Sequence, residues 1–278
     1  MSSTLAGRTV LISGGSRGIG LAIALRAARD GANITLLAKT DTPHPRLEGT
    51  VHTAAAAIEQ AGGTALPVVG DVRNDDDIQR AVDLTVETFG AIDAVVNNAS
   101  VIDLAGSLDL AAKKYDLMQD VNVRGTFMLS RAALPALRSS TNPHILSLSP
   151  PLNLSPTWLG AFPGYMLAKY GMTLATLGLA AEFAREGIAA HTLWPRTTIA
   201  TAAVRFALGG DQMMRVSRTP EIYADAAHLV LCRPAAESTG QSLIVEDVLA
   251  AAGVTDLAGY AAVPGTPDEE LYPDIFLD

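Results

Sequence analysis

The stretch that most constrains the fold is Ser13-Gly14-Gly15-Ser16-Arg17-Gly18-Ile19-Gly20, set between the apolar run Val10-Leu11-Ile12 and the helical run Leu21-Ala22-Ile23-Ala24-Leu25-Arg26. Strand, glycine turn and helix in that order open a β-α-β unit. Glycines at 14, 18 and 20 remove Cβ atoms where the backbone turns sharply and must approach a diphosphate. The helix beyond them offers unpaired N–H groups and a partial positive charge to that anion. The same residues also fit Gly14-x-Ser16-x-Gly18, the nucleophile elbow of serine hydrolases. That reading lacks partners, because the loop follows the first strand and His191 and His228 lie in apolar runs without an evident acidic neighbour.

Beyond the first helix, Asp30-Gly31-Ala32-Asn33 breaks the pattern and residues 34–38 read as a second buried strand ending in Lys39. In a dinucleotide-binding fold this position meets the adenosine ribose, where an acid suits a free 2′-hydroxyl and a base suits a 2′-phosphate. Lys39, with Arg17 as a second cation, therefore points to a 2′-phosphate. A polar turn at 41–49, with Pro43 and Pro45, leads into a helix at 50–61.

Further strands are expected at 65–69, 92–96, 144–149, 188–193 and 242–245, alternating with helical patterns that include 165–186 and 220–231. The alternation predicts an α/β doubly wound domain of about seven mostly parallel strands, with helices on both faces and ligands at the strands' carboxyl ends. Asp71 stands at one such end. The acids at 75–77 follow the cap residue Asn74 and complement a helix dipole without an ion. Residues 150–164 read as an irregular loop and 196–219 as a mobile lid.

At 278 residues and 49% hydrophobic, the chain suits one domain over 1–278, with a core at 6–250 and a tail at 251–278 lying on the surface or against another subunit. A net charge of -9 disfavours nucleic acid, and the single Cys232 excludes an internal disulfide. The first residues lack the pattern of a signal peptide, and no apolar run suits membrane insertion, so a cytoplasmic location is expected.

Tyr165 and Lys169 lie four apart in a helical pattern and share a face. A fixed ammonium beside a phenol favours phenolate and lowers its pKa towards working pH, which makes a proton donor and acceptor.

Ser13-Gly14-x-x-x-Gly18-x-Gly20, Asn97-Asn98-Ala99, Asn122 and Tyr165-x-x-x-Lys169 occur in the order of the short-chain dehydrogenases/reductases, and the chain resembles that family over about 6–250. Ala38-Lys39-Thr40 with Pro43-His44-Pro45, Ser149-Pro150-Pro151-Leu152-Asn153-Leu154 and Ala168-Lys169-Tyr170-Gly171-Met172 resemble a narrower, hydroxysteroid dehydrogenase-like subfamily.

The resemblance implies a Rossmann-type oxidoreductase that moves a hydride between NADP(H) and a carbonyl or alcohol of a largely apolar small molecule. It also implies a homo-oligomer, either dimer or tetramer. Gly14, Ser16, Arg17, Gly18, Ile19 and Gly20 would meet the diphosphate, Lys39 the 2′-phosphate and Asp71 the adenine. Asn98 would lie along the cofactor and Lys169 on the nicotinamide ribose. Tyr165 would be the proton donor, assisted by Lys169, with Asn122 holding a relay water.

The family's carbonyl-binding serine falls at Pro150, which has no donor, and Ser100 stands where glycine is usual. Ser149, turned inward by the prolines after it, is the expected substitute, and the alternatives are Tyr165 working alone or with a hydroxyl from Ser155 or Thr157. A second reading is a catalytically weakened nucleotide sensor or lipid-binding protein.

Overall fold

The computed structural model describes residues 4–44 and 48–278. The first three residues and Pro45, on which the leader and turn expectations partly rest, lie outside the described residues.

Strands covered on both faces need apolar residues at consecutive positions, and β1 (Thr9–Ser13) is buried throughout. Val10 and Ile12 pack on one side of the sheet, while Leu11 between them packs on the other. The chain continues through α1 (Gly18–Ala28), β2 (Asn33–Ala38), α2 (Val51–Gln60), β3 (Thr64–Val69), α3 (Asp75–Phe89) and β4 (Ala94–Asn97). Next come α4 (Ala112–Met118), a π-helical turn at Gln119–Arg124, α5 (Gly125–Leu137), β5 (His144–Ser147), α6 (Pro156–Ala161), α7 (Pro163–Phe183) and β6 (Ala189–Trp194). The last part holds α8 (Ala202–Val204), a π-helical turn at Arg205–Gly209, α9 (Gly210–Arg215), α10 (Pro220–Cys232), β7 (Ser242–Ile244) and α11 (Val245–Ala251).

Among the described residues the strands form one parallel sheet in the order β3-β2-β1-β4-β5-β6-β7. The order reverses between β1 and β4, so the loops after these two strands diverge and leave a crevice at their carboxyl ends. The doubly wound α/β expectation therefore holds. On one face Ile23 and Ala27 of α1 pack with Ile222 and Val230 of α10. On the other, Ile78 of α3, Leu129 of α5 and Leu179 of α7 meet Leu11 and Val95.

Local chemistry sets the ends of elements. Thr50 and Thr53 exchange two bonds at the start of α2, with Thr50 Oγ1 accepting from Thr53 N at 3.1 Å and Thr53 Oγ1 from Thr50 N at 2.8 Å. Asn74 Oδ1 accepts from Asp76 N at 2.8 Å and begins α3. The expected irregular loop at 150–164 contains α6, with Pro156 at its first position. The 196–219 segment carries short helical turns.

The tail corrects the expectation in part. Phe276 is 0% exposed and its ring lies 5.3 Å from Tyr170, 5.8 Å from Trp158 and 6.1 Å from Tyr165. Most of the tail is exposed along the surface, as expected, but its end enters the domain beside α7, because an aromatic side chain of this size is worth burying whole.

Candidate active site

The crevice is a cleft of about 490 Å³ that runs from the glycine loop and Lys39 at one end to Tyr165 and Lys169 at the other. Gly14 (φ 71°) and Gly18 (φ 57°) take left-handed conformations at its floor. A Cβ on Gly20 would lie 2.5 Å from Asn98 Nδ2, and one on Gly14 2.9 Å from Ala99 Cα. The glycines thus admit the β4 loop against the β1 loop. Asn98 Nδ2 donates to the carbonyls of Ser13 (3.0 Å) and Gly14 (2.9 Å), while its own N–H reaches Ser13 Oγ at 3.2 Å. Asn98 lines the cleft, yet its amide nitrogen is spent on bracing the loop, and Gly20 lies behind the wall.

Gly14, Ser16, Arg17, Gly18 and Ile19 do line the cleft. The start of α1 has no side-chain cap and no acid in its first turn, so its N–H groups remain available to an anion. This is the donor set a dinucleotide diphosphate needs, and the residues present fit it.

Lys39 lies on the cleft wall, exposed, and makes no hydrogen bond or ion pair to a described residue. Arg17 differs. Its Nε donates to Glu48 O at 2.9 Å and its Nη2 to Gly49 O at 2.7 Å, so the guanidinium fastens the 48–49 loop beside the cleft. The expected second cation is principally a strut, and burial lowers its pKa. Asp71 is held by Arg73, with Nη2 2.7 Å from Oδ2, and that guanidinium keeps the carboxyl below its ordinary range.

At the far end α7 brings Tyr165 and Lys169 onto one wall. Lys169 is 4% exposed, donates from Nζ to Leu148 O at 2.9 Å, and lies 5.3 Å from the Trp194 ring centroid. Burial lowers its pKa to about 8, and the nearby Asp274 carboxylate opposes that shift. The expected lowering of the phenol is reversed. Burial pushes the Tyr165 pKa up, Asp274 adds to the rise, and the Ser100 hydroxyl counters it.

Asp274 was not expected. Its N–H donates to Arg196 O at 2.8 Å, Pro273 bridges to Thr197, and Trp194 Nε1 donates to Ile275 O at 3.0 Å. These contacts hold its carboxyl in the cleft wall, where burial raises its pKa to about 7 against the Ile275 N–H and Lys169. Only an unusually apolar tail sequence, Ile275-Phe276-Leu277, hinted at insertion.

Two expected catalytic residues lie elsewhere. Ser149 Oγ is fully buried 3.0 Å from Thr173 Oγ1 of α7 and does not line the cleft. The prolines after it break the strand, but the turn carries the hydroxyl into the helix packing. Asn122, in the π-helical turn, points both ends of its amide at Val101 and does not line the cleft either. His228 does have an acid, since its Nε2 lies 2.7 Å from Asp30 Oδ2, but both residues are away from the cleft and from Ser16.

Fold, glycine loop and tyrosine–lysine wall define a class, and the sequence agrees: the chain belongs to the short chain dehydrogenase family, whose model matches residues 8–207. It is thus of an oxidoreductase family that uses nicotinamide cofactors. Among individual proteins it is similar to hydroxysteroid dehydrogenase-like protein 2 of Danio rerio, with 52% identity over 274 residues, 99% of this chain and 65% of that protein. The Homo sapiens protein of that name is 49% identical over 99% of this chain and 64% of its own length. The chain spans less than two thirds of the length of these curated relatives. A crystal structure of a short chain dehydrogenase from Mycobacterium thermoresistibile has a TM-score of 0.92 and 55% identity, covering 99% of this chain and 96% of that one. Carveol dehydrogenase from Mycobacterium avium, solved in complex with NAD, shares the fold at a TM-score of 0.75 and 21% identity, over 88% of this chain and 98% of that one.

Proposed function

We propose that the chain is an NADP(H)-dependent oxidoreductase interconverting a carbonyl and an alcohol on a largely apolar, lipid- or steroid-like small molecule. The observation that carries the reading is Tyr165 and Lys169 on one wall of a cleft whose other end holds the glycine loop and Lys39. Val101, Ile102, Val121, Trp194, Leu208 and Ile275 give the cleft an apolar lining that suits such a substrate.

The nicotinamide cofactor supplies a hydride when bound. Lys39 takes the 2′-phosphate and the α1 N-terminus the diphosphate. Tyr165 gives its proton to the substrate oxygen in reduction, and a phenol whose pKa burial has raised holds that proton until charge develops on the oxygen. Lys169, anchored on Leu148 O, places a cation beside the phenolate that remains. The exposed apolar side chains Phe127 of α5 and Leu167 and Leu174 of α7 support assembly as a homo-oligomer.

Ser149 turned into the helix packing favours a second reading, a nucleotide sensor or lipid-binding protein with weakened chemistry. NADPH consumption with a panel of aliphatic, cyclic and aromatic ketones separates the two. Turnover lost in Tyr165→Phe supports the enzyme; tight NADPH binding without turnover on the panel supports the sensor.

A further inference from the structure

A carbonyl reductase needs a second donor on the substrate oxygen, because the charge that develops there as hydride arrives is poorly held by one phenol. Pro150 has no donor, Ser149 Oγ faces Thr173, and Ser155 Oγ is buried without a hydrogen-bond partner. Thr157 is exposed, and none of these residues lines the cleft. Ser100 does. It follows β4 rather than β5, is exposed, and lines the same cleft as Tyr165, whose pKa it lowers.

The backbone on both sides of Ser100 is pinned. Ala99 N donates to Ser13 Oγ at 3.1 Å, Val101 N donates to Asn122 Oδ1 at 2.8 Å, and Asn122 Nδ2 donates to Val101 O at 2.9 Å. A side chain carried on backbone fixed at both neighbours loses little further backbone freedom when it binds a substrate, which contributes to the preorganisation that oxyanion stabilisation requires.

We propose that Ser100 is a catalytic residue whose hydroxyl donates a hydrogen bond to the substrate's carbonyl oxygen beside Tyr165, the role that Pro150 cannot fill. This rests on the oxidoreductase reading above. The carbonyl carbon accepts the hydride, the π pair moves onto oxygen, and Tyr165 supplies the proton. Ser100 keeps its own proton and holds the oxygen throughout. In oxidation the same bond orients the alcohol.

The test compares Ser100→Ala, Ser100→Thr and Tyr165→Phe with the unmodified protein, using NADPH with cyclohexanone, acetophenone and longer alkyl ketones, and NADPH affinity by calorimetry. Ser100→Ala should lose about a hundred- to a thousandfold in kcat/KM with its NADPH Kd and melting temperature unchanged. Ser100→Thr, which keeps the hydroxyl, should stay within about tenfold of the unmodified protein, well above the alanine variant. Unchanged kcat/KM in Ser100→Ala, equal losses in the alanine and threonine variants, or a parallel loss of NADPH affinity overturns the role of Ser100 and leaves the oxidoreductase reading standing. An active Tyr165→Phe protein, or no turnover by the unmodified protein on any ketone, overturns that reading and the proposal with it.

Discussion

Asn122 closes a two-way hydrogen bond on Val101, its Oδ1 accepting the Val101 N–H at 2.8 Å and its Nδ2 donating to the Val101 carbonyl at 2.9 Å. A side-chain amide offers one acceptor and donors in a single plane, so it replaces the strand partner that the backbone lacks after β4 ends. The π-helical turn at Gln119–Arg124 brings Asn122, which is fully buried, to that position. The clamp thereby fixes the wall next to Ser100.

Asn122→Leu leaves both backbone polar groups of the half-buried Val101 without their side-chain partner. A loss on the order of 2 kcal/mol in unfolding free energy is expected, read from urea denaturation. Ketone turnover should fall as well, with NADPH affinity little changed. A stability equal to that of the unmodified protein would count against the clamp.

Cofactor preference should follow Lys39. A charged contact to a phosphate contributes roughly 1.5 to 3 kcal/mol, so NADPH should bind about ten- to a hundredfold more tightly than NADH. Lys39→Asp should reverse that order in calorimetric titrations. Arg17, whose Nε and Nη2 hold the carbonyls of Glu48 and Gly49, should affect both cofactors alike when replaced by Met. Equal constants for NADPH and NADH in the unmodified protein would sink the assignment.

Asp274 sets a pH dependence with a defined sign. Its pKa is raised to about 7 in the fold, so between the ordinary carboxylate range and that value the folded state binds more protons than the unfolded chain. Stability from this group is therefore greatest at low pH and falls as pH rises towards about 7, facing Lys169 and Tyr165 of α7, Tyr223 of α10 and Glu246 of α11. Asp274→Asn should raise the melting temperature more at about pH 8 than at about pH 5. A gain of the same size at both values would contradict the shift.

Phe276 takes φ 72°, a left-handed conformation that a bulky residue adopts only when its surroundings demand it. The demand comes from the rings of Trp158, Tyr165, Tyr170 and Trp194 around it. Phe276→Ala should cost about 3 to 5 kcal/mol of stability by denaturation. It should also release Asp274 from the cleft wall, seen as a weaker dependence of ketone turnover on pH.

The segment 196–219 lines the cleft through Thr201, Ala202, Ala203, Val204 and Leu208, with Thr201 Cγ2 3.5 Å from where a Gly18 Cβ would sit. Its helical turns are short, and Gly210 (φ 69°) separates the last two. Addition of NADPH should slow amide hydrogen exchange across this segment, the behaviour of a closing lid. Exchange unaltered by NADPH would mark it as a fixed wall.

The sequence by itself determined the order of strands and helices, because each strand of a doubly covered sheet must be apolar at consecutive positions and each turn needs its glycine or cap. β1, the glycine loop and the Tyr165–Lys169 spacing were legible for that reason: strand, loop and helical pair are each a local pattern. Tertiary structure decided what local pattern cannot encode, namely which way a side chain turns where regular structure stops. Ser149 and Ser100 are each a hydroxyl just beyond a strand, and only the packing of α7 against β5 sends the first to Thr173 while the second stays in the cleft that Tyr165 also lines. Asp274 lies 105 positions beyond Lys169 by subtraction of their numbers, and no spacing rule connects them. It is in the cleft because Phe276, two residues on, finds an aromatic cavity that α7, β6 and the 150–162 segment form only when assembled.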